Sequence, residues 1–325
     1  MGNVLCFAAV QDGKVKRASL EVLSRFREIA DSTRAGVDAV IAHPDPAQFV
    51  PVLGRFGASR VYLAKSDVFE YHLNEPLIRL LEDVYRRSEA AVLAFASTEG
   101  AKDVLGALAV RLGAAVLSDA ASVELDGGQW VATRPVMAAK RLARTKASTT
   151  PVIISVRAGS YAAVENPVEP EVVEVPFDAT GGTRRPELRE VVGAGGDAVD
   201  LSEASVVVAA GRGVKDDVGK RLVEELAGLF GAAIGATRAV VESGLYPATA
   251  QIGQTGKVVS PDLYFALGIS GAIQHVAGMV NSRVIVAINR DPDAPIFNYC
   301  TYGLVGDLYR IVPALADALR KAGLG

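Results

Sequence analysis

Cysteine, histidine and tryptophan are scarce in this chain of 325 residues, which holds two cysteines, three histidines and one tryptophan. Cys6 and Cys300 lie far apart and form no CxxC pair, so their spacing excludes a zinc or iron–sulfur site built from cysteines. The histidines at 43, 72 and 275 are equally scattered and form no HxxxH pair. We therefore expect free thiols in a reducing compartment and no metal centre.

The chain also lacks a dominant charge and a long apolar run. Lys and Arg number 34 against 37 Asp and Glu, and the net charge of −3 provides no electrostatic footprint for nucleic acid or anionic lipid. No uninterrupted apolar run approaches the ~20 residues that cross a bilayer, and the N-terminal segment does not resemble a signal peptide. We expect a cytoplasmic protein with no nucleic-acid partner and no direct membrane insertion.

Aromatic residues make up only 6% of a chain that is 50% hydrophobic, so Ala, Val and Leu provide most of the apolar content, as in tightly packed α/β layers. The length suggests two domains. In the first half, buried or alternating runs are separated by segments with helical periodicity, which predicts βαβ units and a mainly parallel sheet. Strands are predicted at 4–10, 38–42, 60–64 and 91–96, and helices at 20–30, 73–88 and 103–112.

The pattern changes after Gly113. Asp126-Gly127-Gly128 separates two extended runs and predicts a hairpin, and further strands are predicted at 140–146 and 151–156. We interpret these strands as antiparallel additions to the first domain.

Residues 165–200 are rich in Pro, Glu, Gly and Arg and lack sustained apolar periodicity, so we interpret them as a linker with a boundary near Gly193. This predicts domains at 1–193 and 194–325. The second domain is predicted to contain strands at 205–210, 232–238, 263–266 and 284–289, a long helix at 218–230 and a closing helix at 304–319.

Two glycine motifs could bind a dinucleotide. Residues 193–198 fit the GxGxxA pattern, but too few residues follow before the next strand for a crossover helix, so a linker turn is the better interpretation. Gly211 and Gly213 do follow a buried strand and precede a helix, and Arg212 between them adds a cation. The second motif predicts either an anion site or a simple turn.

The segment GISGAIQH at 268–275 admits three interpretations. A hydrolase nucleophile elbow would need glycine where Ala272 stands and a base later in the chain than Ser270 with an acid between them, but the only later histidine is His275, five residues on. A metal site would need a second nearby ligand. Both fail on spacing. In the third, Ser270 caps a helix that begins near Ala272, and Gln274 and His275 project from its first turn towards a cofactor; a capped helix with a core histidine is the plainer alternative.

The segment QIGQTG at 251–256 lies just upstream. Its glycines free the backbone, and Gln254 and Thr255 offer an amide and a hydroxyl, with Arg238 nearby in sequence. No carboxylate pair, thiol nucleophile or activated serine accompanies them. The combination predicts a cofactor cradle without acid–base machinery.

Together these motifs resemble the electron transfer flavoprotein alpha subunit, over 235–297 and 302–315. The resemblance implies two α/β domains. The N-terminal domain would have a mostly parallel sheet with antiparallel additions and would contact the partner subunit. The C-terminal domain would be a doubly wound, Rossmann-like domain that binds FAD.

The function implied by the resemblance is electron transport. The chain would form a heterodimer with a beta subunit that holds AMP or, in bifurcating types, a second FAD. It would accept electrons from flavin dehydrogenases such as the acyl-CoA dehydrogenases of fatty acid β-oxidation and pass them to a quinone oxidoreductase. The alternative is a structural or regulatory nucleotide-binding module without redox turnover.

The resemblance also implies cofactor-binding residues. Arg238 would lie near the flavin ring, Thr255 near its reactive edge and His275 near its pyrimidine carbonyl, while Asn289, Asp307 and Leu308 would serve the adenosine side. We expect Arg238 and His275, lying near the flavin, to stabilise the negative charge of its reduced form and to raise its potential. The full set is Arg212, Thr237, Arg238, Ile252, Gly253, Gln254, Thr255, Ser270, Gly271, Ala272, Ile273, Gln274, His275, Asn289, Asp307 and Leu308.

Three positions depart from the family pattern. Thr237 replaces the usual Ser and keeps its hydroxyl, Ile252 replaces a Val, and Thr301 stands where a carboxylate is common.

Overall fold

The structure is a computed structural model that describes residues 2–33, 35–71, 73–137, 141–180 and 200–323. The chain forms two compact units, Met1–Glu190 and Val191–Gly325. The boundary predicted near Gly193 and the GxGxxA motif at 193–198 lie outside the described residues. Within those residues, no helix has both the length and the apolar character that a bilayer span requires.

The first unit alternates strands and helices before a run of short strands. In chain order its elements are β1 (Val4–Ala8), β2 (Val10–Gln11), β3 (Lys14–Val15), α1 (Arg17–Thr33), β4 (Val37–His43), α2 (Val50–Arg55), β5 (Arg60–Lys65), α3 (Asn74–Ser88), β6 (Val92–Ala96), α4 (Glu99–Leu112), β7 (Ala115–Ala120), β8 (Ser122–Asp126), β9 (Gln129–Val136), β10 (Arg141–Lys146), β11 (Val152–Val156) and β12 (Glu171–Glu174).

Seven of these strands form a parallel sheet in the order β12-β5-β4-β1-β6-β11-β7. Successive residues of β1 face opposite sides of the sheet: Cys6 packs with Phe26 of α1, and Leu5 packs with Leu80 of α3 and Leu108 of α4. Because helices cover both faces, the strands are near-continuous apolar runs, and this is why the sequence predicts them well.

A separate antiparallel sheet, in the order β10-β9-β8, confirms the predicted hairpin. Gly127 and Gly128 both have positive φ, +58° and +80°, as a two-residue hairpin turn requires. The sequence suggested that the strand predicted at 151–156 is an antiparallel addition like these, and this prediction was wrong. The strand is β11, and it is fully buried between β6 and β7 in the parallel sheet, because its run VIISV has no polar face for solvent.

In the described part of the linker predicted over 165–200, the structure has a strand, β12, that the sequence did not reveal. β12 pairs in parallel with β5 at the edge of the sheet. Its sequence EVVE is short and mostly exposed, so it has neither a buried run nor a clear alternation.

The second unit is a five-stranded parallel sheet in the order β14-β13-β15-β16-β17. The chain moves outwards from β13 to β14, then crosses back to place β15 on the other side of β13. Such a switch point opens a crevice at the carboxyl ends of the strands. The elements are β13 (Val206–Ala210), α5 (Asp217–Phe230), β14 (Ala233–Ala236), α6 (Arg238–Glu242), β15 (Leu263–Leu267), α7 (Ile273–Val276), β16 (Val284–Asn289), β17 (Tyr302–Val305) and α8 (Leu308–Lys321).

The two faces of this sheet are covered differently. Val208 and Phe265 pack with α5 and α8 on one face. Val207 and Tyr264 pack on the other with residues from irregular segments, including Ile252. The sheet is therefore doubly wound, with long helices on one face and mainly loops and the short α7 on the other.

The closing helix begins later than predicted. It was placed at 304–319, but 302–305 form the edge strand β17 and the helix starts at Leu308. Asp307 sets this start, because its carboxylate accepts a hydrogen bond from the backbone N–H of Tyr309 at 3.0 Å.

Candidate functional site

A cavity of about 910 Å³ lies at the carboxyl edge of the second sheet. This volume is near the upper end of the range for ligand cavities, ~300–1,000 Å³. Each of the five strands is followed by a segment that lines it, so the cavity is located at the switch point of the fold. The lining includes Arg212 and Gly213 after β13, Thr237 and Arg238 after β14, Gly268 to Ser270 after β15, Asn289 to Asp291 after β16, and Gly306 to Leu308 after β17.

The loops after β13 and β15 meet backbone to backbone. The N–H of Gly213 donates to the carbonyl of Gly268 at 3.0 Å, and a Cβ on Gly213 would lie 2.7 Å from the Gly268 Cα. A Cβ on Gly211 would collide with the same carbonyl. The glycines of this motif are therefore needed for packing. Arg212 between them is exposed and pairs with no described residue, so its charge is available to the cavity.

The QIGQTG loop is bonded to two neighbours. The N–H of Ile252 donates to Ala236 O at the end of β14, at 2.9 Å, and the N–H of Gln254 donates to Gln274 O at 2.7 Å. Gly253 has φ +145°, and a Cβ there would lie 2.8 Å from Gln274 O. Because the backbone is held in this way, the loop can present the Gln254 and Thr255 side chains to the cavity.

Ser270 is not the helix cap that the sequence predicted. The residue that precedes α7 is Ala272, and no side chain caps this helix. The chain instead bends at Gly271, with φ +88°, where the N–H of Ile296 donates to Ser270 O at 3.0 Å. The bend leaves the exposed Ser270 on the cavity wall.

His275 is buried, with 6% of its surface exposed, and both ring nitrogens are bonded within the protein. Nδ1 lies 3.0 Å from the carbonyl of Ile252, and Nε2 lies 2.9 Å from the hydroxyl of Tyr264. Burial lowers the pKa of His275 to about 4, although the bond to the Ile252 carbonyl raises it slightly. The imidazole is therefore neutral at pH 7.

Arg238 supplies a cation that His275 does not. It is the first residue of α6 and is 69% exposed, and its Nε donates to Glu242 Oε1 at 2.8 Å. This bond uses Nε and leaves the terminal nitrogens of the guanidinium for a ligand. Both Arg238 and Glu242 line the cavity.

Side-chain hydrogen bonds hold the part of the cavity wall that follows β16 and β17. The Nδ2 of Asn289 donates to Ile269 O at 2.8 Å, and its Oδ1 accepts from the N–H of Asp291 at 3.1 Å. The hydroxyl of Tyr309 donates to Asp216 Oδ1 at 3.0 Å, and Asp216 caps α5. These contacts fix the starts of α5 and α8 beside the cavity.

The structure brings the predicted site residues together, with two exceptions. Gly271 and Ile273 do not line the cavity. Gly271 forms the bend before α7, and Ile273 is 38% exposed to solvent outside the cavity. Sequence reasoning missed Lys215, Arg290 and Tyr309, which do line it. Arg290 could have been found from its position directly after a predicted strand.

The lining can bind a ligand but has little means of acid–base catalysis. Among the described residues no group of His, Cys, Asp and Glu could hold a metal ion. The lining residues combine four cations and three carboxylates with amides and hydroxyls, and the histidine is neutral and bonded through both ring nitrogens. A cavity of this volume at a switch point, with cations in its lining, suits an extended anionic cofactor such as a dinucleotide. The cations are Arg212, Lys215, Arg238 and Arg290.

The fold and this site define a cofactor-binding protein of the doubly wound α/β class. The family model "Electron transfer flavoprotein domain" matches residues 4–180, and the model "Electron transfer flavoprotein FAD-binding domain" matches residues 200–280. The second match supports FAD as the cofactor. It ends before Asn289, Asp307 and Leu308.

Curated relatives match nearly the whole chain. An electron transfer flavoprotein subunit alpha of Syntrophomonas wolfei is 37% identical over 322 residues, which cover 99% of this chain and 100% of the relative. One from Mycobacterium tuberculosis is 38% identical over 321 residues, 98% of this chain and 99% of the relative. Protein FixB of Clostridium saccharobutylicum is 33% identical over 317 residues, 96% and 95% of the two chains. The chain belongs to the electron transfer flavoprotein alpha subunit family, and its role is electron transfer.

Proposed function

We propose that this chain is the FAD-carrying subunit of a heterodimer that accepts electrons from flavin dehydrogenases, such as acyl-CoA dehydrogenases, and passes them to a quinone oxidoreductase. The relatives are named as alpha subunits, which supports a beta subunit as the partner. That subunit would hold AMP or a second FAD. The proposed setting is the cytoplasm, in fatty acid β-oxidation.

The observation that carries this proposal is the composition of the cavity. Its walls provide four cations, three carboxylates and several neutral hydrogen-bonding groups from the ends of all five strands, and its only imidazole is neutral and bonded through both ring nitrogens. A site of this kind holds and tunes a cofactor and leaves the chemistry to it. This favours a carrier over an enzyme that transforms its own substrate.

The chain's residues divide into three groups in this proposal. Arg212, Ser270 and Arg290 would bind the diphosphate, Asn289 and Asp307 would serve the adenosine side, and the loop at 251–256 with Arg238 would contact the flavin. When bound, FAD supplies the capacity to accept and donate electrons. The charge of Arg238 would stabilise the negative charge that the cofactor gains on reduction.

The test of the proposal is the cofactor content of the purified complex. The chain would be co-expressed with a beta-type partner, its visible spectrum recorded, and the cofactor released by denaturation and identified. We expect about one FAD per complex and bleaching of the spectrum on addition of an acyl-CoA dehydrogenase with its substrate. Two FAD would place the second in the beta subunit. A colourless complex that holds only a nucleotide would overturn the proposal in favour of a structural or regulatory module.

The role of Arg238 can be measured separately. We expect Arg238→Ala to lower the midpoint potential of the bound FAD on the order of 60 mV, a tenfold change in a one-electron equilibrium, because a cation near the flavin is lost. Spectroelectrochemical titration measures this. Arg283→Ala is the matched control, since Arg283 is also an exposed arginine in an ion pair, at 3.2 Å from Asp262, but does not line the cavity. Equal potentials for Arg238→Ala and the unaltered protein would contradict the assignment.

A further inference from the structure

Tyr264 is a buried residue to which neither the sequence motifs nor the cavity lining gives a role. It lies on β15, has 0% of its surface exposed and does not line the cavity. Its hydroxyl is 2.9 Å from Nε2 of His275, which does line the cavity. A buried tyrosine usually has a partner for its hydroxyl, and here the partner belongs to the site wall.

The directions of the two hydrogen bonds follow from the chemistry of the groups. The carbonyl of Ile252 can only accept, so Nδ1 of His275 carries the proton and donates to it at 3.0 Å. Nε2 of the neutral ring is then an acceptor, and the Tyr264 hydroxyl must be the donor. Burial raises the pKa of Tyr264 well above its usual value, so this hydroxyl retains its proton.

The end of this chain of hydrogen bonds is the loop that lines the cavity. Ile252 belongs to the loop at 251–256, and the segment at 274–278 packs against that loop through its backbone. The N–H of Val259 donates to Gly278 O at 2.8 Å, and a Cβ on Gly278 would lie 2.5 Å from the N of Gly253. A change in the orientation of His275 would therefore be transmitted to the loop, since the two segments have no free space between them.

We propose that Tyr264 is a positioning residue, whose hydroxyl fixes the orientation and the proton arrangement of His275 and thereby holds the Ile252 carbonyl and the loop that lines the FAD cavity. The link to FAD rests on the proposed function, but the hydrogen-bond chain itself does not. His275 acts here as a neutral structural link between the strand and the loop.

The test compares Tyr264→Phe with the unaltered full chain, each with and without FAD. The variant removes one oxygen atom and keeps the ring that fills the core. In ¹⁵N-histidine-labelled protein we expect a neutral His275 with the proton on Nδ1, and in the variant a shifted Nε2 signal. With only three histidines in the chain, a His275→Gln variant assigns the signals. We expect the amides of Gly253 and Gln254 to exchange about tenfold faster in the variant, equivalent to about 1.4 kcal/mol.

The control is Phe265→Leu, the next residue of β15, whose side chain packs on the opposite face of the sheet. We expect it to lower the thermal midpoint but to leave the His275 signals and the loop exchange unchanged. A proton on Nε2 in the unaltered chain would overturn the proposal, and so would unchanged signals and exchange in Tyr264→Phe. With FAD, we expect about tenfold weaker binding in the variant. Failure of the unaltered complex to bind FAD would instead overturn the proposed function, and the cofactor-free spectra would still decide the role of Tyr264.

Discussion

The two parallel sheets of this chain differ in how the polar groups at their carboxyl edges are bonded. In the first sheet, polar groups at the carboxyl ends of β6, β7 and β11 bond to one another. In the second sheet, glycines bring the loops together and leave cations exposed around a cavity of about 910 Å³. Both sheets have a switch point, at β1 and β6 in the first and at β13 and β15 in the second. The topology alone therefore does not make a binding site.

Asp119 is central to the closed edge of the first sheet. It lies near the carboxyl end of β7 and has φ +55°. Its carboxylate accepts hydrogen bonds from Ser97 at 3.2 Å and from Arg157 at 2.7 Å, and its own N–H donates to the Ser155 hydroxyl at 2.9 Å. In the second sheet, Arg212 follows β13 and has no such partner among the described residues. The difference lies in the residues at the carboxyl ends of the strands. Where they bond to one another the edge is closed, and where they stay exposed they can bind a ligand.

The largest expected effect comes from placing a side chain at the close backbone contact between Gly211 and Gly268, at the carboxyl edge of the second sheet. We call this edge, which carries the cavity, the open edge. We expect Gly211→Ala to lower the free energy of unfolding of the second unit by about 3 kcal/mol and to release FAD, because its Cβ would collide with the Gly268 carbonyl, which is backbone and cannot move aside. Denaturant unfolding and cofactor retention measure this.

Gly228→Ala is the matched control for this substitution. Gly228 lies inside α5 with open space around its Cβ position, so we expect a gain of about 0.5–1 kcal/mol and no loss of FAD. Equal effects of the two substitutions would show that the loop contact is not what defines the open edge.

The second prediction concerns the first sheet and pH. Asp38 on β4 is 3% exposed, its Oδ2 accepts no hydrogen bond and lies 3.9 Å from Arg60 Nη1. Burial raises the pKa of Asp38 from 3.8 to about 6, although Arg60 partly opposes this. Because the folded state binds this proton more tightly, its contribution to stability is full below pH 3.8 and is lost as pH rises through about 6.

We therefore expect Asp38→Asn to reduce the fall in the free energy of unfolding between pH 4 and 7 by about 2–3 kcal/mol. Denaturant titrations across this pH range measure it, with FAD content as the second readout, which we expect to stay constant. The same pH dependence in both proteins would mean that the carboxyl is not held in its neutral form.

The smallest expected effect comes from breaking the closed edge. We expect Arg157→Ala to lower the free energy of unfolding by about 1 kcal/mol, since it removes a partly buried ion pair with Asp119, and to leave the FAD midpoint potential unchanged. A shift of the FAD midpoint potential would show that the carboxyl edge of the first sheet influences the cavity of the second, and the two edges could then not be described as independent.

Much of the fold could be predicted because its strands are buried on both faces and the turn at Gly127 and Gly128 has a specific signature. β12 could not, because its pairing depends on partners such as Arg60, 3.0 Å from Glu171 and 111 residues away in sequence. The start of α8 was misplaced because Leu304 and Val305 continue the apolar pattern of the helix, although they belong to an exposed edge strand.

The candidate site was predicted mainly through its motifs, and the structure shows which details the motifs could not contain. The neutral state of His275 follows from its burial, and its two ring nitrogens are bonded to a carbonyl 23 residues away and a hydroxyl 11 residues away. The loss of the Ser270 cap depends on the contact of Gly271 with the segment near Ile296. Such pairings arise only when the chain is folded, since local spacing does not specify them.

The origin of the cavity walls in five different strands has a consequence for folding. The walls come together only after residues from 212 to 309 have found their places, so the unfolded chain has no partial site to offer. A ligand that binds only the native state stabilises it by about 2.7 kcal/mol at a hundredfold excess over its dissociation constant. FAD would therefore shift the folding equilibrium of this domain towards the native state, and the supply of cofactor would help to set the folded fraction.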